Sequence, residues 1–457
     1  MGFSNRVGMF LSVVCLASSL AWGAESKSVP GQIIIRFNEV VSLATAKERI
    51  QSNGLVFVRE LVPSMGMYLA KSPTTRNLKT LVDKLSVQDD IRYAQEDHVV
   101  SLREVKPDDL DFSDQWNMKN GGTTADIRAT SAWELGKGGK DREGNDLVVA
   151  IVDGGVDLNH KDLRVNLWTN LQEIPGNQLD DDGNGYIDDV NGWNAIDSNG
   201  MISPDSHGTH VAGIVGAEGN NGLQVSGVNW RVKLMAVQAA SNTTSVIAAG
   251  YGYVIAQKKL FIESKGAKGA NVVSTNSSFG VDLADCKSGS YPVWNDLYEA
   301  MGKVGILSAA ATANANYNVD TQGDVPTSCG SDYLVTVTNT DSRDKKYSSA
   351  AYGFTTVDLA APGTSILSTT PGDTTGTKTG TSMSTPHVAG AIAFLHSVAS
   401  SDFQSLVNQD PAKGALALKT VLLSSVDKLQ ALEGKTVSGG RLNLAAAANA
   451  ISRFKTR

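Results

Sequence analysis

Hydrophobic and polar positions along the chain fall into stretches of different rhythm. From residue 29 to 102, short apolar runs alternate with helical spacings. Gln32–Phe37, Val56–Leu61 and Gly66–Lys71 read as strands and Ala44–Ser52 as a helix. Thr75–Leu85 reads as a second helix, because Leu78, Leu81, Val82 and Leu85 recur at helical spacing. Ile91–Ala94 and Val99–Leu102 close the stretch as short extended runs, giving the β-α-β-β-α-β order of a small α+β unit of ferredoxin-like type. Residues 103–114 hold two basic and five acidic residues with almost no apolar pattern, which predicts an exposed linker open to proteolysis. Residues 115–457 alternate buried strands (Leu147–Val152, Val232–Val237, Asn271–Thr275, Gly305–Ala311, Leu334–Thr338) with helical patterns at Val246–Lys258, Trp294–Val304, Lys419–Val426 and Leu442–Ile451. That alternation predicts an α/β fold: a doubly wound, mostly parallel sheet with helices on both faces and a site at the carboxyl ends of its strands.

Composition changes this picture little. A chain of 457 residues that is 41% hydrophobic and 19% charged can bury a large core. Its net charge of -7 argues against a nucleic-acid partner. The first 24 residues read as a signal peptide: Arg6, an apolar run from Met9 to Leu20, then small residues at Ala21, Gly23 and Ala24. The alternative is an apolar terminal element of the fold. No later stretch is long and apolar enough to predict a membrane span. The expected product is exported, to the periplasm or the extracellular medium. Cys15 lies within the signal, so Cys286 and Cys329 are left to form one disulfide or to remain two separate thiols.

Three motifs carry candidate chemistry. Val148–Gly155 sets Asp153 directly after a buried strand; Asp205–Val215 sets His207 at the start of a small-residue helix; Gly380–Gly390 sets Ser382 just before another helix, with Pro386 in what reads as its first turn. A serine hydroxyl needs a base to take its proton as it attacks a carbonyl. A histidine can be that base, and an aspartate can fix its tautomer and stabilise the imidazolium. Singly, each residue reads as a cap or packing residue. Together, in this order, the motifs closely resemble the three active-site motifs of the subtilisin-like serine proteases, over essentially the whole third stretch. The resemblance implies an Asp153–His207–Ser382 triad, with His210 and His387 in supporting positions. It implies Asn314, after the strand at Gly305–Ala311, as an oxyanion donor, with Asn316 and Asn318 as alternatives. It implies Ser278, Phe279 and Gly280 as a substrate-binding segment that pairs with extended peptide. Two departures from the family stand beside the triad: Gly154 replaces a usual Ser or Thr, and Ala313 replaces a usual Gly. The segment 29–102 resembles the family's inhibitory propeptide, with its junction between Val99 and Asp114.

Asp180-Asp-Asp182-Gly-Asn184-Gly-Tyr186-Ile-Asp188-Asp189 places oxygen ligands at alternate positions around glycines, matching the first half of a calcium loop. Asp180, Asp182 and Asn184 are expected to ligate by side chain, Tyr186 by its carbonyl, and Asp188 or Asp189 to close the site. The alternative is an exposed acidic turn. Asn220–Gly227 with Asp162 resembles a second calcium loop of the family. The expectation is therefore a secreted, calcium-bound, monomeric serine endopeptidase without organic cofactor, acting on proteins or peptides and held latent by its own propeptide. A catalytically weak peptide-binding homologue is the competing expectation.

Overall fold

The computed structural model describes residues 28–74, 77–99, 105–240 and 243–456. The stretch read as a signal peptide, with Cys15, lies outside the described residues, as do residues 100–104. The chain divides at residues 103 and 104 into two compact units.

The first unit is a four-stranded antiparallel sheet in the order β2-β3-β1-β4, with two helices. Its elements are β1 (Ser28–Phe37), α1 (Leu43–Ser52), β2 (Val56–Val62), β3 (Met67–Lys71), α2 (Leu78–Ser86) and β4 (Ile91–His98). Ile33, Ile35 and Phe37 alternate onto one face of β1 and pack with Ala46 and Ile50 of α1 and Leu78 and Leu85 of α2. Strand β4 runs past the expected end at Ala94 to His98, and residues 100–102 of the other expected run lie outside the described residues. Gln95 and Glu96 stay in the ladder opposite Ile34 and Ile33, because pairing is set by the backbone and only alternate side chains need be apolar.

The second unit is built on a nine-stranded sheet in the order β16-β17-β13-β12-β10-β8-β5-β7-β6. These strands are β5 (Val148–Asp153), β6 (Gly192–Asn194), β7 (Lys233–Gln238), β8 (Val272–Ser277), β10 (Leu307–Ala311), β12 (Leu334–Thr340), β13 (Leu359–Pro362), β16 (Asp427–Lys428) and β17 (Gly440–Arg441), with β9 (Val281–Asp282) and β11 (Asp324–Val325) forming a separate pair and β14 (Ile366–Thr370) and β15 (Thr374–Lys378) a hairpin. All pairs of the large sheet are parallel except β16 with β17. The helices are α3 (Ala129–Ala132), α4 (Ser206–Gly216), α5 (Thr244–Glu263), α6 (Pro292–Lys303), α7 (Val319–Gln322), α8 (Thr381–Val398), α9 (Ser401–Gln409), α10 (Pro411–Ser424) and α11 (Leu444–Ser452).

Strand β5 shows why the sheet must be covered on both faces. Val149 and Ile151 join one apolar core with α4, α8 and α11, while Val148, Ala150 and Val152 join another with α5 and α6. The fold is thus the doubly wound, mostly parallel sheet that the alternation predicts. No helix among the described residues is long and apolar enough to cross a membrane.

Candidate active site

Asp153 is the last residue of β5, at the carboxyl end of an interior strand that lies between β8 and β7. The chain turns sharply after it. Gly155 has φ +135, and a Cβ there would lie 2.1 Å from the Ser203 carbonyl, so no other residue fits. Helix α4 then brings in His207. Asp205 caps that helix by accepting the His207 and Gly208 N–H groups, each at 2.8 Å. His207 Nδ1 sits 2.9 and 3.0 Å from the two oxygens of Asp153, whose Oδ1 also accepts the Gly154 N–H at 2.8 Å. The Asp153 side chain is 4% exposed and that of His207 is 38% exposed, a buried acid behind an accessible base. Burial pushes the imidazolium of His207 down. The hydrogen bond to Asp153 and the charges of Asp153 and Asp205 outweigh this, and Lys378 opposes them weakly, so its pKa is raised overall.

Ser382 is the second residue of α8 and is almost buried. Pro386 stands in the second turn of α8, inside the helix rather than in its first turn, and this placement has a local effect. Lacking an N–H, it cannot bond the Ser382 carbonyl four residues back. That carbonyl instead accepts the Ser278 hydroxyl at 3.0 Å, and the Ser382 hydroxyl donates to the Ser278 carbonyl at 3.3 Å. Ser382 and Ser278 are therefore bonded reciprocally. Among the described residues the Ser382 hydroxyl makes no bond to His207. Apo active sites often hold such a hydrogen bond open until substrate arrives.

Asn314 follows β10 at the same end of the sheet. Its Oδ1 accepts the Thr381 N–H at 3.0 Å and lies 3.2 Å from the Thr381 hydroxyl, which leaves the amide NH₂ without a partner among the described residues. The neighbouring Ala313 does not have a positive φ, so alanine causes no backbone strain there. Asn316 accepts from Lys346, and Asn318 caps α7, so both alternatives are occupied elsewhere. Ser278 is buried, while Phe279 and Gly280 border a cavity of about 330 Å³ with Ile247, Val281 and Trp294. His210 Nε2 donates to the Ile366 and Gly376 carbonyls, and His387 Nδ1 donates to the Met383 carbonyl while its Nε2 accepts from the Asn117 amide; both rings are buried and hold elements together.

The acidic loop folds differently from a regular alternate-ligand loop. Asp182 and Asp189 meet Glu173, all three buried, with one oxygen from each lying within 4.8 Å of the others. Asn170 and Asn184 donate amide hydrogens to Asp182 and Asp189. Asp180 accepts the N–H groups of Gly183, Asn184 and Gly185, and Asp188 those of Gly176, Asn177 and Gln178, so these two carboxylates shape turns. The Tyr186 ring packs edge-on against Trp193 and Tyr253. Burial, with Asp182 adding, pushes the Asp189 carboxyl up to about 7. Three buried carboxylates that make no ion pair among the described residues, with Lys268 reaching only the main-chain oxygen of Asp182 at 3.0 Å, fit a cation. Glu173 is absent from the sequence reading because it lies seven residues before the loop, where no spacing rule points. Asp162 receives the Val225 N–H and the Asn221 amide, tying down the second loop. Cys286 and Cys329 form a disulfide with Cα atoms 4.9 Å apart, settling the choice the sequence leaves open.

Comparison with known proteins agrees with this geometry. Residues 144–439 match the model of the subtilase family, and residues 21–97 match the fervidolysin N-terminal prodomain. The chain is 29% identical over 324 residues to subtilisin-like protease 1 of Plasmodium vivax, covering 66% of this chain and 47% of that protein, so it spans about half of that relative's length. It is 30% identical over 276 residues to thermitase of Thermoactinomyces vulgaris, covering 59% of this chain and 80% of thermitase. The solved structure of the epidermin leader peptide processing serine protease of Staphylococcus aureus superposes with a TM-score of 0.55 at 19% identity, over 93% of this chain and 99% of that one, which speaks to fold alone. A family match over more than half its length, on a sheet whose strand ends gather an aspartate, a histidine and a serine in the family's order, makes this chain a member of the subtilase family.

Proposed function

We propose that the protein is a secreted serine endopeptidase, made as a self-processed zymogen, in which Asp153, His207 and Ser382 form the catalytic triad. The observation that carries this reading is the buried Asp153 carboxylate bonded to His207 Nδ1, at the strand ends where Ser382 is seated on the substrate segment. With His207 Nδ1 held as the donor to Asp153, Nε2 is the basic atom. Substrate entry draws the Ser382 hydroxyl from the Ser278 carbonyl to Nε2. Oγ then attacks the peptide carbonyl and its proton passes to Nε2. The oxyanion accepts from the Asn314 amide and the N-terminal N–H groups of α8. Imidazolium protonates the leaving amine, and water deacylates Ser382 by the same proton route. Substrate lies along Ser278, Phe279 and Gly280 as an added strand.

The segment 29–102 acts as the inhibitor of its own catalytic unit until it is cut between residues 99 and 114, and residues 1–24 direct export. That stretch is expected to be an exposed linker, but its later part instead buries Asp109 and Phe112 in the second unit. Calcium is the cation best suited to the acidic loop, held by Glu173, Asp182 and Asp189 with Asn184 turned to offer its amide oxygen. It would neutralise buried charge and so stabilise the fold. The decisive test is fluorophosphonate labelling of the purified mature form, with N-terminal sequencing beside a Ser382→Ala sample. Labelling that Ser382→Ala abolishes, and a junction between residues 99 and 114 that this variant fails to reach, is expected. A mature form that never labels would leave a peptide-binding homologue instead, a reading to which the open Ser382–His207 bond lends its only support.

A further inference from the structure

Asp324 is a buried carboxylate that the mechanism above does not use. It is 1% exposed and lies in β11. Its Oδ2 accepts the Ala313 N–H at 3.0 Å and the Thr327 hydroxyl at 2.5 Å; its Oδ1 accepts nothing among the described residues. No basic group is among the charges acting on it. Burial pushes its carboxyl up to about 7, the Thr327 and Ala313 bonds pull it down, and Asp282 pushes it further up. Asp282 is exposed and stands directly opposite Asp324 in the β9–β11 pair. Like charges facing across an antiparallel pair are destabilising, and neither aspartate has an ion-pair partner among the described residues. The neighbouring Tyr317 is pushed up to about 12 by burial and by both aspartates, so it stays a neutral hydroxyl.

The position of this pair gives it meaning. Strand β11 ties together the two segments that flank Ser382. On one side it holds Ala313, next to Asn314. On the other it pairs with Val281 and Asp282, directly after Ser278–Gly280, and a Cβ on Gly280 would lie 2.5 Å from the Val325 carbonyl. A carbonyl attacked by Ser382 and held by Asn314, on a backbone paired with 278–280, sends its own side chain between these two segments. Asp324, bonded to Ala313 on one side and paired with Asp282 on the other, lies between the two segments.

We propose that Asp324, with Asp282 at the rim, makes the protease selective for a lysine or arginine as the residue whose carbonyl is attacked. This rests on the endopeptidase reading. A buried aspartate at the end of such a pocket is a known device for basic specificity in unrelated serine proteases. A long cationic side chain brings charge to an oxygen that otherwise has no partner. An aliphatic one leaves the carboxyl sealed and unpaired, and an acidic one meets two like groups. The competing account is a protonated, purely structural Asp324 that only holds the Ala313 turn.

The test is a series of fluorogenic peptides differing only in that residue (Lys, Arg, Phe, Leu, Glu), with the mature protein titrated by fluorophosphonate. Lys and Arg peptides are expected to exceed Phe and Leu in kcat/KM by at least about tenfold, the scale of a close charge pair. Asp324→Asn is expected to lower the Lys-to-Phe ratio by about 10- to 100-fold. Protein that labels yet cleaves after Phe or Leu as well as after Lys or Arg overturns the inference and leaves the endopeptidase standing. Protein that does not label overturns both. Should Asp324→Asn fail to fold, the wild-type series and the cleavage sites left in a denatured protein decide alone.

Discussion

Replacing Asn314 by alanine separates the oxyanion donor from the rest of the site. The side chain is exposed, so its loss leaves stability nearly unchanged. Its amide is aimed by one residue, Thr381, through an N–H at 3.0 Å and a hydroxyl at 3.2 Å. A donor fixed in this way serves the charge that develops only in the transition state, and its loss typically costs about 10²- to 10³-fold in kcat with KM little altered. Thr381→Val removes a smaller, calculable part. The hydroxyl has one proton, shared between Asn314 and the Thr312 carbonyl at 2.5 Å, so less than one full hydrogen bond to Asn314 is lost. That is below about 1 kcal/mol, or below about fivefold in kcat. Because Thr381 acts through Asn314, its substitution in the Asn314→Ala background is expected to cost nothing more. Steady-state kinetics on a single peptide substrate, with active sites titrated, measures all four proteins. A kcat for Asn314→Ala within about threefold of wild type, or an undiminished Thr381→Val loss in the double variant, would refute the assignment.

Catalysis needs neutral His207, whose pKa is raised above the ordinary 6.5, so kcat/KM is expected to rise with pH through an acid limb above that value. Asp205→Asn keeps the helix cap but removes a negative charge and shifts the limb to lower pH, whereas Lys378→Met shifts it to higher pH; a limb unmoved by Asp205→Asn contradicts this. Chelation is expected to lower Tm by about 4 °C relative to calcium at a hundred times its Kd, and Glu173→Gln to erase that difference, both by calorimetry. The disulfide closes a separation of 43 residues, worth at most about 4 kcal/mol by loop entropy, or about 5 °C in a unit of this size. The Cys286→Ser/Cys329→Ser variant should lose Tm up to that amount and lose peptide turnover first, since the closed loop carries Asn314 and Asp324; an unchanged Tm speaks against it.

What could be read in the sequence is what is local. Strand β5 shows itself because six consecutive apolar residues precede Asp153, and such a run with a helix on each face can only be a buried parallel strand. The three motifs are legible for the same reason, each being a strand end or helix start within a dozen residues. Glu173 and Asp324 are illegible because their partners are set by tertiary packing. Asp324 meets Asp282 only through a two-residue pairing across 42 positions, and Glu173 meets Asp182 and Asp189 through turns that Asp180 and Asp188 build. In that loop the sequence gives the chemistry of a cation site but not the division of labour among its aspartates.

Gly154 illustrates the difference most sharply. Read along the chain, it is a missing hydroxyl beside Asp153. In space, a Cβ on Gly154 would lie 3.0 Å from the carboxyl carbon of Asp205, tighter than an ordinary contact. Serine or threonine would press on the cap that positions His207. The carboxylate of Asp205 already fills the place beside Asp153 where a neighbouring hydroxyl would stand, while the Gly154 N–H supplies Asp153 with a donor. Glycine and Asp205 are therefore one arrangement: the small residue makes room for a second negative charge near the imidazole. The departure that looks like a weakened triad is the condition for a more strongly stabilised imidazolium.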